Sequence, residues 1–155
     1  MSINIPAATI EAYRTTRYDV HDGDSNISFR IGEINYAIAD LYQRRNVQSS
    51  AFITAWNPFG EFLSADENEK ANNVLRKFLV NEGVAFIEGE GVGTDTTWPP
   101  EKSLLVLGIS EIQATILCRQ FQQNAVVFIG PDFNPVLMFH PDAGIPAIHC
   151  AEVFS

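Results

Sequence analysis

The residues best equipped for chemistry cluster around one stretch, in which Glu88, Glu90, Asp95 and Glu101 surround Trp98. A carboxyl desolvated against an indole could act as a general acid or base, because burial favours its neutral form. Glu90 and Glu101 are the candidates for that role. The four acids could instead chelate a hard divalent ion such as magnesium or calcium, but they lack EF-hand spacing. Solvated acids are the plainer reading, so no metal site is assigned and no cofactor is identified. The glycines of Gly89-Glu90-Gly91-Val92-Gly93 suggest a phosphate cradle. No helix begins behind them, no Lys-Ser/Thr follows, and Glu90 would repel phosphate, so the cradle is rejected. They read as the bends of a hairpin, or as a flap that closes Trp98 over a polar ligand.

Neutral hydrogen-bonding groups accompany these acids. Asn57, Asn68, Gln123 and Asn124 can each donate and accept, Ser103 adds a hydroxyl, and Trp56 or Trp98 offers a stacking face. Amides and acids without an arginine cluster favour a neutral or cationic ligand over a phosphate-rich one. The competing reading is that Asn57 caps a turn and Gln123-Asn124 end a helix. Nucleophile constellations are poor, since His21, His140 and His149 lie in a turn and near the C-terminal tail. His140, Asp142 and His149 have a loose metal-ligand spacing, for which a frayed tail is the plainer account. Cys118 reads as a small buried thiol; pairing with Cys150 is open, but two cysteines do not imply a disulfide framework.

Local patterns indicate the elements that position these residues. Ser64-Ala-Asp-Glu67 is a capping box before the stripe Ala71, Val74, Leu75, Phe78, Leu79, and Gly83 closes that helix. Ser110-Glu-Ile-Gln113 repeats the signal for a helix through Gln122. Strands are expected at 51–56, 84–88, 103–109, 125–129 and 136–140. Upstream, Thr9 caps a short helix to about Arg14, strands cover 17–20 and 27–31, and a helix covers 33–44.

From residue 51 the order is β-α-β-β-α-β, which predicts an α+β, ferredoxin-like βαββαβ sandwich with an N-terminal helix/strand extension. A Rossmann-like three-layer α/β sheet is the alternative, but Gly89–Lys102 offers no crossover helix. Strand direction alone then gathers Asn57, Asn68, Glu90, Trp98, Glu101, Ser103, Gln123 and Asn124 at one sheet edge. The opposite edge receives mainly Gly83, Ile109, Ser110 and Gly130.

Bulk properties narrow the setting. The chain has 155 residues, 46% of them hydrophobic and 19% charged, as expected of one globular domain, with its core at about 12–140 and a tail from 141 to 155. A net charge of −9, centred on residues 51–100, disfavours nucleic acid and anionic lipid as partners. No secretory signal or 18-residue apolar run is found, so a cytoplasmic protein away from membranes is expected. Arg14, Arg17, Arg44 and Arg45 are too few for a nucleic-acid footprint and read as salt-bridged or solvated surface.

Several short pieces together carry a family resemblance. They are Ala12-Tyr13 with Thr16 and Tyr18, Thr54-Ala55-Trp56-Asn57-Pro58, Glu67-Asn68, Gly89-Glu90-Gly91, Trp98-Pro99 with Glu101 and Ser103, Leu107-Gly108-Ile109, and Phe121 with Gln123-Asn124-Ala125. In these the chain resembles the bacterial family called domain of unknown function 3293, over about residues 12 to 130. The resemblance implies a single small bacterial domain and brings no activity, ligand or catalytic residue. Members typically have a second acid after the position of Glu101, where this chain has Lys102, which speaks against a paired-carboxylate mechanism.

The expected function is therefore binding of a small polar molecule at the polar edge, with acid/base or hydrolytic chemistry by Glu90 or Glu101 left open. The alternative is an acidic protein-interaction module, anchored by the Trp98 loop or self-associating through an open edge strand at Val136–His140.

Overall fold

The computed structural model describes residues 2–149. Its helices begin where local chemistry supplies caps. The Ser64 hydroxyl oxygen accepts from the Glu67 N–H at 3.1 Å while the Glu67 carboxylate accepts from the Ser64 N–H, and α3 follows as Ala65–Asn81. Ser110 and Gln113 form the same reciprocal pair ahead of α4, Glu111–Gln120. Helix α2, Tyr36–Arg45, starts later than the expected residue 33, because Asn35 accepts from the Ala37 and Ile38 N–H groups. Helix α1, Ala7–Thr15, starts after Pro6, so Thr9 lies within its first turn and is not its cap.

Seven strands form one sheet: β1 Arg17–Asp22, β2 Ser25–Phe29, β3 Ser50–Ile53, β4 Phe86–Val92, β5 Glu101–Leu107, β6 Ala125–Ile129 and β7 Pro135–Phe139. Their order is β2-β1-β4-β5-β3-β6-β7, and every neighbouring pair is antiparallel. A parallel, doubly wound Rossmann-like sheet is thereby excluded, and the class is α+β. Strand β3 ends at Ile53, short of the expected Trp56, because side chains replace the ladder there. Thr54 Oγ1 donates to the Lys102 carbonyl at 2.6 Å, and the Ala55 N–H donates to Asn72 Oδ1 at 2.8 Å.

Two differences reshape the functional edge. Strand β4 continues to Val92 instead of stopping at Glu88, since it pairs on both sides: with β1 from Arg17↔Val92 to Val20↔Gly89, and with β5 as far as Gly91↔Glu101. The expected long loop shrinks to residues 93–100. The N-terminal hairpin, moreover, widens the sheet beyond β4 instead of only covering it. Gly89 permits this, because a Cβ there would run into the Asp19 carbonyl and stand 3.2 Å from Phe52.

Alternation gives the sheet two apolar faces. Phe52, Leu105, Val127 and Ile129 share one buried cluster with Ile38 and Leu41 of α2, and Ile10 and Tyr13 of α1 pack against it. Ala51, Ile53, Leu104 and Val106 share the other with Leu75 and Leu79 of α3 and Leu117 of α4. Cys118 is buried in this second cluster, where its thiol donates to the Gln123 carbonyl at 3.2 Å and burial pushes its pKa up to about 12.

The edge strand β7 is not open at its centre, as the self-association reading requires. The Leu137 N–H donates to the Ile148 carbonyl and the Ile148 N–H to that of Leu137, at 2.9 and 2.8 Å. Arg44 and Arg45 each reach Asp22 at 2.9 Å, in line with a salt-bridged surface. No helix among the described residues is long and apolar enough to cross a membrane. Cys150 and any pairing it makes lie outside the described residues.

Candidate functional site

Between α1 and the α1/α2 face of the sheet lies a cavity of about 490 Å³, within the usual size of small-molecule sites. Its apolar surfaces come from Ala8 and Ala12 of α1 and from Phe52, Ala125, Val127 and Leu137 of the sheet. Its polar rim comes from Asn57, Glu101, Ser103 and Gln123, while Gly93, Thr94, Asp95 and Trp98 of the 93–100 segment close one side.

Glu101 is the acid that the fold brings inside. Positions 101, 103, 105 and 107 of β5 alternate onto the α1/α2 face, so its carboxyl looks into the cavity beside Ser103. Its Oε2 accepts from the Trp98 indole N–H at 3.1 Å and from Asn57 Nδ2 at a longer 3.5 Å, which leaves Oε1 available to the cavity. Burial raises the Glu101 pKa above the usual carboxylate range, against the smaller opposing effects of the Trp98 and Asn57 hydrogen bonds.

Asn57 is fixed by a reciprocal amide clamp. Its backbone N–H donates to Asn68 Oδ1 at 2.7 Å, and Asn68 Nδ2 donates to Asn57 Oδ1 at 2.8 Å. The clamp holds Asn57 in the left-handed region, at φ 46°. Phe59 and Gln122 also have positive φ, at 52° and 55°, and the Phe59 N–H donates to the Gln122 carbonyl at 2.8 Å. Three non-glycine residues in that conformation so close together, one of them on the cavity rim, are unusual, and such backbone tends to gather at functional sites.

The remaining expected residues divide. Gln123 lines the cavity, with Nε2 donating to the Trp56 and Phe121 carbonyls, so Trp56 takes part through its backbone. Asn68 stands behind Asn57. Asn124 donates to the Tyr13 hydroxyl at 3.3 Å and faces an adjoining cavity with His140 and Asp142. Glu90 does not line the cavity. It lies inside β4 opposite Lys102, on the face where Glu88 pairs with Arg76 of α3 at 2.7 Å. Asp95 is engaged with Thr97, so the four acids of the chelate reading do not converge. Among the described residues no group of three His, Cys, Asp or Glu side chains could hold a metal ion.

Sequence reasoning missed the wall contributed by α1 and β1. Tyr13 lines the cavity with its hydroxyl pKa pushed by burial up to about 12; Thr16 and Tyr18 line it too, and Tyr18 pairs across the sheet with Gly91. The signal was present in the resemblance motifs Ala12-Tyr13, Thr16, Tyr18 and Gly91. It went unused because β1–β4 pairing joins residues about seventy positions apart, beyond any local pattern.

No curated protein and no solved structure matches the chain. The family model described as "Protein of unknown function (DUF3293)" matches residues 53–126, from the end of β3 to the start of β6. That match covers Asn57, Asn68, Trp98, Glu101, Ser103 and Gln123, and it places this stretch of the chain in the DUF3293 family.

Proposed function

We propose that the chain binds a small organic molecule in the cavity under α1, with the Glu101 carboxyl as its polar anchor. The observation that carries this reading is the desolvated Glu101, one oxygen committed to Trp98 and Asn57 and the other available in an otherwise largely apolar enclosure. Such enclosures with a few convergent polar groups are the usual form of small-ligand sites. A ligand-observed NMR screen of fragments tests it. Hits are expected to compete with one another and to lose binding in Ala12→Trp, which places an indole at the α1 wall. Hits that persist undiminished in that variant would move the site elsewhere.

An acid/base enzyme is the second reading, favoured by the raised Glu101 pKa alone among the site's acids. Glu90 is no longer part of it. We also read β3-α3-β4-β5-α4-β6 as a ferredoxin-like unit. Support comes from the antiparallel order β4-β5-β3-β6 with α3 and α4 on one face.

A further inference from the structure

The cavity's hydrogen-bonding inventory narrows the chemistry of its occupant. Seven hydroxyls line it, and four of them have given their proton to a backbone carbonyl. Thr16 donates to Ala12 at 2.6 Å, Tyr18 to Tyr13 at 2.7 Å, Thr54 to Lys102 at 2.6 Å and Ser103 to Glu101 at 3.0 Å. A carbonyl oxygen only accepts, so these directions are fixed, and these four hydroxyls can offer a ligand lone pairs only. Gln123 Nε2 is likewise spent on two carbonyls and Asn57 Nδ2 gives one N–H to Glu101, while Glu101 Oε1 accepts nothing from the described residues. Tyr13 accepts from Asn124 at 3.3 Å and keeps its own proton, so the wall offers a ligand donors as well as acceptors, and charge has to discriminate between occupants.

Its charge points to a cation. The ionisable side chains on the wall are Glu101, Asp95, Tyr13 and Tyr18, with no lysine, arginine or histidine among the lining residues. A carboxylate held out of water by neutral donors is stabilised most by a cation that also donates hydrogen bonds. An anion would find no countercharge among the lining residues. Phe52 and the two tyrosines suit an aromatic body, and Val127 and Leu137 extend the apolar surface.

We infer that the cavity selects a primary ammonium carried on an aromatic or aliphatic body, with the ammonium at Glu101 Oε1 and the body against Phe52 and Val127. This rests on the small-ligand reading above and adds a charge preference to it.

The test titrates the full chain at neutral pH with three probes of similar shape: 2-phenylethylammonium, 2-phenylethanol and 3-phenylpropionate. NMR signals of Tyr13, Trp98 and Gln123 are followed. The ammonium is expected to bind at least tenfold more tightly than the alcohol, and the propionate not at all. Glu101→Gln should abolish the preference by weakening the ammonium at least tenfold while leaving the alcohol unchanged. Glu90→Gln makes the same charge change on the opposite face and should alter neither. Equal binding of ammonium and alcohol, or equal losses in the two variants, would overturn the charge preference and leave the cavity reading standing. Absence of shifts with all three probes would overturn it too, and the fragment screen would then decide separately whether the cavity binds anything.

Discussion

Replacing Asn68 with alanine tests the scaffold on which the site depends. Asn68 is 2% exposed and Asn57 5%, so water does not readily substitute for the bonds between them. The change deletes the 2.7 Å bond from the Asn57 N–H and the 2.8 Å bond to Asn57 Oδ1. Each is worth about 1 kcal/mol net, and leaving the Asn57 N–H buried without a partner adds about 1–2 kcal/mol. The expected loss is therefore about 3–4 kcal/mol, which lowers Tm by roughly 10 °C for a chain of this size. Urea unfolding followed by circular dichroism reads it as a lower midpoint at an unchanged slope. Glu67→Ala, one position earlier on the same helix, removes only the exposed half of the capping box and should cost about 1 kcal/mol or less. An Asn68→Ala protein within 1 kcal/mol of the parent, at the same slope, would refute the claim that the clamp fixes Asn57.

Two further outcomes concern Glu101 and Gly89. Because the folded-state pKa of Glu101 lies above its unfolded value, its stabilising contribution is complete below about pH 4 and is lost as pH rises through the folded-state pKa. Glu101→Gln should remove that decline and make the protein more stable at pH 7, with no advantage below about pH 4; denaturation across that range would expose a wrong sign. Gly89→Ala forces a Cβ against the Asp19 backbone and should cost about 2–3 kcal/mol. Gly91→Ala meets only Thr16 Cγ2 at 3.6 Å and should stay within about 1 kcal/mol, so equal losses would refute the packing argument.

What the sequence made legible was whatever a few consecutive residues decide. Both capping boxes form, and β6 runs over the expected residues, because Ser64, Ser110 and the Ala125–Ile129 run each act locally. Asn57, Glu101 and Gln123 meet at one edge because strand direction alternates whatever the strand order. Glu90 was misplaced by a boundary: once β4 runs on to Val92, the two-residue period sends it to the α3 face. Tyr13 and Tyr18 were overlooked for a different reason. Their place in the wall depends on β1 joining β4, a contact that Gly89 permits but does not announce.

The Cys118 thiol gives the fold an internal clock. Capped by the Gln123 carbonyl and held by burial at a pKa of about 12, it has almost no reactive thiolate while α4 is seated. Its alkylation therefore waits for α4 to part from the sheet, and the waiting time measures that opening. Gln123 sits on the cavity rim and belongs to the same contact. A molecule that fills the cavity and steadies Gln123 would lengthen the wait at Cys118, so occupancy could be timed chemically without knowing what the occupant is.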